Sequence, residues 1–268
     1  MTATFPGLIK WAGSKRQILS TLRKYWPVSA KRYVEPFAGS ACLFFDLKPH
    51  AAVLGDLNEN LMRTYRAVRT APGLVLESYS RLSRAKTTYY CLRRLDPSRL
   101  ADATAAARFL FLNRSCFNGL YRTNLQGVFN VPYAAPPPTA KQLAPSVFLA
   151  AEALRGATLL TGDFEATVSR VKRDDFVYLD PPYALRARRM FREYHQDGFT
   201  EADLDRLAAS LREIEARGAH FAISYADSSE ARSLFREWTS VRVRTRRHIA
   251  GFSDSRRFTY ELLATNLP

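Results

Sequence analysis

Five short apolar runs recur along the chain, each closed by a turn or by polar residues. They read KRYVEPFAGS (31–40), AAVLGDLNEN (51–60), ATLLTGDFEA (157–166), DFVYLDPPY (175–183) and AHFAISYAD (219–227). Compact apolar runs of this kind predict buried parallel strands. Helical patterns lie between them. Thr200, with Asp203 three residues on, predicts a helix start. Leu204, Leu207, Leu211 and Ile214 follow at helical spacing, and Gly218 stops the run. Ser14 predicts a cap for an earlier helix carrying Ile18, Leu22 and Tyr25. Strand–helix alternation predicts an α/β fold with a mainly parallel sheet. The tail differs: SVRVRTRRHI (240–249) and RRFTYELLATNL (256–267) predict two adjacent strands, joined through Gly251, that form an antiparallel edge.

Between about Leu61 and Ala157 the alternation stops. The pattern there is helical, then looped through NGLYRTNLQGVFNVPYAAPPPTA. Arginine is frequent, from Arg63, Arg66 and Arg69 through Arg81, Arg84, Arg93, Arg94 and Arg99 to Arg108, Arg114 and Arg122. This predicts an inserted, mainly helical domain over 61–157, with a hairpin near 117–133 and an exit at Pro136–Pro138. The sheet domain is then discontinuous, built from 1–60 and 158–268.

Charge changes the picture. Lys and Arg number 40 against 25 Asp and Glu, a net charge of +15 in 268 residues. That balance points to a polyanion such as nucleic acid or an acidic membrane; an arginine-rich proteome is the plainer source. Arginine also suits phosphate and guanine edges through its flat donor fork. Cys42, Cys91 and Cys116 are odd in number and form no CxxC, which argues against a disulfide framework or zinc and fits a reducing cytosol. The four histidines are scattered, so no metal site is expected. The N-terminus lacks the apolar core of a signal peptide, and no apolar stretch is long enough to cross a bilayer.

In open α/β sheets, ligands bind beyond the carboxyl ends of the strands. The predicted strands deliver Glu35-Pro36-Phe37-Ala38-Gly39, Asp56, Gly162-Asp163-Phe164 and Asp180-Pro181-Pro182-Tyr183 to that one edge. Asp56 has two readings: a ligand for a ribose hydroxyl pair, or a cap for the helix from Asn58. The sequence Asp180-Pro181-Pro182-Tyr183 is more specific. Two prolines fix two φ angles and remove two backbone donors. What remains accepts hydrogen bonds only, through the Asp180 carboxylate and the Pro181 carbonyl. Such a corner suits an exocyclic amine, and Tyr183 offers a face on which a base can stack for about 1–3 kcal/mol. A rigid turn with a capping acid is the bland alternative.

These residues, with their neighbours, resemble the Dam-type DNA adenine-N6 methyltransferases (D12 class, alpha group). The matching stretches are LIKWAGSKRQIL, VEPFAGSA, GDLNENL, FLNRSCFNGLYRTNLQGVFNVPY, GDF and LDPPY, in the family's order across nearly the whole chain; RRFTYELLATN matches more loosely. The resemblance implies a Rossmann-like fold that uses S-adenosyl-L-methionine, with double-stranded DNA as partner and GATC as target. It implies that Trp11 and Lys15 help hold the donor, that Phe37, Ala38 and Gly39 line its methionine end, that Asp56 binds its ribose and that Asp163 and Phe164 lie at its adenine. Asp180 and Tyr183 would handle a flipped base. Lys10, Asn118, Leu120 and Arg122 match positions that read DNA, and the inserted domain would carry that reading.

Plainer roles stand beside these. Trp11 and Phe164 also suit a core, Lys10 and Lys15 a solvated surface, and Asn118-Gly119 a simple turn. Arg186, Arg188, Arg189 and Arg192, with Arg242, Arg244, Arg246, Arg247, Arg256 and Arg257, would meet phosphates or plain solvent. Three departures from the family stand out: Ala41 replaces a second glycine, Ala134-Ala135 replaces a basic position, and Ser224-Tyr225 stands where Ser-Asn is usual. A cytosine-N4 methyltransferase and a DNA-binding relative without catalysis are alternatives; a methyltransferase acting on RNA or a protein glutamine through an N-P-P-Y loop is a third, against which Asp180 and the hairpin argue. A cytoplasmic, nucleoid-bound monomer is expected, with a companion restriction endonuclease as a further expected partner.

Overall fold

The computed structural model describes residues 5–124, 126–183, 199–246 and 258–267. Among these residues seven strands form one sheet: β1 (Arg32–Glu35), β2 (Ala52–Asp56), β3 (Ala157–Thr161), β4 (Asp175–Leu179), β5 (His220–Ala226), β6 (Thr239–Arg246) and β7 (Phe258–Thr265). Their order is β3-β2-β1-β4-β5-β7-β6. The first five pair in parallel, while β7 runs antiparallel to both β5 and β6. The antiparallel tail read from the sequence is therefore present. Its turn at Gly251 lies outside the described residues, as do Arg186, Arg188, Arg189, Arg192, Arg247, Arg256 and Arg257.

Among the described residues ten α-helices accompany the sheet: α1 (Leu19–Leu22), α2 (Cys42–Leu47), α3 (Glu59–Thr70), α4 (Pro72–Ser80), α5 (Lys86–Arg94), α6 (Asp102–Ser115), α7 (Ala140–Leu154), α8 (Phe164–Val168), α9 (Glu201–Ala216) and α10 (Ser229–Leu234). Helix α9 starts where its capping box predicts: Thr200 accepts from the Asp203 amide, and Asp203 accepts in return from the Thr200 amide. The first helical stretch corrects the expectation at Ser14. Residues 15–25 form two 3₁₀ turns around the single turn of α1, and Ser14 caps nothing. Its hydroxyl instead accepts from Ser40 at 3.0 Å.

Strand side chains alternate between faces, so the sheet carries two apolar layers. Tyr33, Leu54, Phe176, Tyr178, Ala222 and Leu263 join one layer with α3, α4, α6 and α7. Val34, Val53, Val177, Leu179, Phe221 and Ile223 join the other with α8 and α9. The helical stretch between α3 and α7 thus shares a continuous core with one face of the sheet. Several of its arginines serve the fold rather than solvent. Arg69, Arg84, Arg108 and Arg114 donate to backbone carbonyls, and buried Arg108 reaches Leu92 at 2.7 Å.

The order β2-β1-β4 reverses the direction of winding beside β1. A crevice opens there, beyond the carboxyl ends of β1 and β4. Two glycines make the packing around it close. Gly55 in β2 lies so near α8 that an added Cβ would sit 1.9 Å from Thr167 Oγ1. Gly39, at φ +47, faces the Trp11 ring, which a Cβ would meet at 2.8 Å.

Candidate active site

The crevice is a cleft of about 1160 Å³. Its lining includes Trp11, Lys15, Phe37, Ala38, Gly39 and Asp56, then Asp163, Phe164, Asp180, Pro181 and Tyr183, and at one side Lys10, Asn118 and Leu120. They span the chain from Lys10 to Tyr183, and those that follow β1, β2, β3 and β4 meet because these strands end at one edge. Arg122 is the exception among the residues singled out from sequence. It lies off the cleft on the 117–133 loop, where its Nε donates to Asn130 Oδ1 at 2.9 Å.

Asp180 follows β4 and lines the cleft. Lys15 Nζ lies 2.7 Å from its Oδ1, and the Ser224 hydroxyl donates to the same oxygen at 3.2 Å. Among the described residues no hydrogen bond falls on Oδ2. The side chain is 21% exposed and lines the cleft. Enclosure elsewhere raises its pKa above the usual aspartate value, while Lys15 and Ser224 oppose the rise. Lys15 is almost wholly buried. Burial disfavours its charge, but Asp180, then Tyr183 and Glu261, outweigh that and hold its pKa above the ordinary lysine value. The solvated reading of Lys15 is excluded.

Tyr183 stands beside this pair. Its hydroxyl donates to Glu261 Oε1 at 3.3 Å, and its ring meets Tyr225 edge-on at 5.2 Å. Tyr225 therefore packs against the aromatic of the proline corner. Glu261, on β7, was not anticipated from sequence. Its signal was there: a lone acid in the apolar run FTYELLAT.

Asp56 uses both oxygens locally, accepting from the Gly39 amide at 2.8 Å and the Asn58 amide at 2.9 Å. Burial raises its pKa and those two amides oppose the rise. The cap of α3 is Asn58 itself, which accepts from Leu61. Asp163 caps α8 and is gripped by Arg206 at 2.6 Å, whose guanidinium also lies 4.8 Å from the centre of the Phe164 ring. Phe164 in turn stacks on Phe37 at 5.2 Å. Arg206 had no role in the sequence reading; it sits on α9, 43 residues after Asp163.

The N-terminal segment joins this cleft to the 117–133 loop. Asn113 on α6 clamps the Lys10 backbone, accepting from its amide and donating to its carbonyl. Trp11 stacks on Tyr121 at 5.8 Å. Gly119, at φ +65, lies against Lys10 so closely that a Cβ would meet the Lys10 Cβ at 2.2 Å. Asn118 shares the left-handed region at φ +52, and backbone bonds from Asn124 to Val128 and from Asn130 to Arg122 close the loop beyond it.

A seven-stranded mixed sheet of this order, with an Asp-Pro-Pro-Tyr corner at its switch point, defines a Rossmann-like methyltransferase. The chain belongs to the D12 class N6 adenine-specific DNA methyltransferases, whose family pattern it matches over residues 11–249. It is 32% identical to the type II methyltransferase M1.LlaDCHI of Lactococcus lactis subsp. cremoris, over 96% of this chain and 94% of that protein. The type II methyltransferase M.MjaIII of Methanocaldococcus jannaschii is 33% identical over 96% and 98%. A DNA adenine methylase of Vibrio cholerae is 30% identical over 97% and 95%. The chain is thus an enzyme that methylates adenine in DNA. No helix among the described residues is long and apolar enough to cross a membrane.

Proposed function

We propose that the chain transfers a methyl group from S-adenosyl-L-methionine to N6 of an adenine turned out of duplex DNA, within GATC. The observation that carries this reading is the Asp180 corner: one carboxylate oxygen held by Lys15 and Ser224, the other left to the cleft, with prolines and Tyr183 directly after it.

The cleft's donor set fits a cationic sulfonium ligand. In a chain of net +15, its lining presents Glu35, Asp56, Asp163, Asp180, Asp203 and Glu261 beside Lys10 and Lys15, with Arg206 paired to Asp163 and Asp203. An acidic cleft in a basic protein favours a small cation there and a polyanion elsewhere. Trp11, Lys15, Phe37, Ala38, Gly39, Asp56, Asp163, Phe164 and Asp180 would hold the donor. When bound, it supplies an electrophilic methyl group.

The chain's own residues would do the rest. An adenine amine is a poor nucleophile because its lone pair is delocalised into the ring. Asp180 Oδ2 and the Pro181 carbonyl accept its two hydrogens and localise that pair on nitrogen. Tyr183 stacks on the base and offsets part of the few kcal/mol that extrusion costs. Lys10, Asn118, Leu120 and Arg122 read flanking bases, and residues 61–157 act as the recognition domain on a catalytic body formed by 1–60 and 158–268. The contact of Gly119 with Lys10 supports a shared reading surface. The type II names of two relatives support a companion endonuclease.

Single-molecule sequencing of DNA from a methylation-free host that expresses this chain tests the reading. N6-methyladenine in GATC is the expected result. Methylated adenine in another sequence would remove GATC, and methylated cytosine would remove the whole proposal.

A further inference from the structure

We propose that Ser224 and Tyr178 are positioning residues for Asp180: a two-hydroxyl relay that turns the carboxylate so that Oδ2 alone meets the target amine. The inference rests on the reading of Asp180 as the amine acceptor and adds two residues to that site.

The strand register builds the relay. Strands β4 and β5 pair in parallel with Leu179 opposite Ile223, so the next pair outward is Asp180 and Ser224. Tyr178 lies two residues before Asp180 and therefore on the same face. The Tyr178 hydroxyl is 2.9 Å from Ser224 Oγ, and Ser224 Oγ is 3.2 Å from Asp180 Oδ1. Chemistry fixes the direction. A carboxylate only accepts, so the single Ser224 proton points to Asp180. Tyr178 must then donate to Ser224. Both links are out of water, Ser224 at 0% and Tyr178 at 1% exposure.

Two donors on one oxygen have a geometric consequence. Lys15 arrives from the N-terminal segment and Ser224 from the sheet, so Oδ1 is held from two sides and the group cannot turn about its last bond without breaking one of them. Oδ2 is thereby fixed toward the cleft. The order of donors also has an electrostatic consequence. Hydrogen bonds to the charged form favour it, and Ser224 is one of the groups that restrain the rise in the Asp180 pKa. The other charged or titratable groups around this carboxylate are Lys15, Glu261 on β7, Tyr183, Glu35 at the end of β1 and the Cys42 thiol at the start of α2. Each remains in place when Ser224 is changed. Tyr178 keeps its proton, because burial and then the Asp180 charge push its pKa well above the usual tyrosine value.

The test is single-turnover methylation of a duplex by Ser224→Ala, Ser224→Thr and Tyr178→Phe across pH 5–9. Donor affinity is measured by calorimetry and DNA affinity by anisotropy. Ser224→Ala is expected to slow the methylation step about ten- to a hundred-fold, as loss of one hydrogen bond to a charged group implies. Its acid limb moves to higher pH, while both affinities stay within about two-fold of wild type. Tyr178→Phe shifts the limb the same way by less, and Ser224→Thr restores it. An unmoved acid limb in Ser224→Ala, or a loss that appears only as weaker binding, overturns the proposal. If Ser224→Ala does not fold, Tyr178→Phe decides by the same limb. If the wild-type protein makes no N6-methyladenine, the functional reading fails first, independently of the relay.

Discussion

Lys15 Nζ and Asp180 Oδ1 lie 2.7 Å apart with the lysine side chain only 4% exposed. The contact joins the N-terminal segment to the proline corner, 165 residues later in the chain. Removing one partner of a buried ion pair leaves the other charge desolvated and alone. Asp180 opens on the cleft, so Lys15→Met should cost no more than about 3 kcal/mol, the lower end of the range for buried pairs. Urea unfolding at neutral pH measures it. An unchanged midpoint would mean that the pair is solvent-screened.

Glu35 closes β1 as a carboxyl at 3% exposure, with no hydrogen bond to Oε2 among the described residues. Burial, and then the Asp180 and Asp56 charges, push its pKa well above the usual glutamate value, with the neighbouring Tyr33 hydroxyl opposing the rise. A group with a raised folded pKa binds its proton more tightly when folded. Stability is then lost as pH rises from the unfolded pKa, about 4.3, through the folded one. Exposed acids with lowered values, such as Asp174 and Glu237, act in the opposite sense and in a separate window, below about pH 4.5. Glu35→Gln should therefore flatten the fall in stability above pH 5. An identical pH profile in the variant would show that Glu35 titrates normally.

Gly39 and Gly119 occupy the left-handed region, and each touches a different part of the site. Alanine costs about 1–2 kcal/mol there, and its methyl must displace the Trp11 ring at Gly39 or Lys10 at Gly119. Gly39→Ala should weaken binding of the methyl donor and leave duplex affinity intact. Gly119→Ala should do the reverse. Calorimetry with the donor and anisotropy with a duplex separate the two, and equal losses in both assays would contradict the division.

Arg122 stands outside the cleft, held by Asn130. If it forks onto a guanine edge, Arg122→Ala should lose about 1–3 kcal/mol of discrimination at one base. A uniform loss across all sequences would instead mark a phosphate contact. Competition between single-base-substituted duplexes gives the answer.

What the sequence made legible follows from where information is local. The five parallel strands showed as apolar runs, and α9 showed through Thr200, Asp203 and Gly218, because caps and strand ends are set by near neighbours. Ser14 misled for the same reason. It has the chemistry of a cap, but Ser40, brought close by the fold, took its hydroxyl. The fixed orientation of Asp180 was not legible. Ser224 is 44 residues away, and its role exists only through the β4–β5 register. Glu261 and Arg206 reach the cleft in the same way, from strands and helices whose neighbours the chain order does not reveal.

The most direct measurement is nucleoside analysis of duplex DNA after incubation with S-adenosyl-L-methionine and either the wild-type chain or Asp180→Ala. The account predicts N6-methyladenine with the wild type, none with the variant, and duplex affinity retained by both. N6-methyladenine formed at wild-type rate by Asp180→Ala, or N4-methylcytosine as the product, would contradict it.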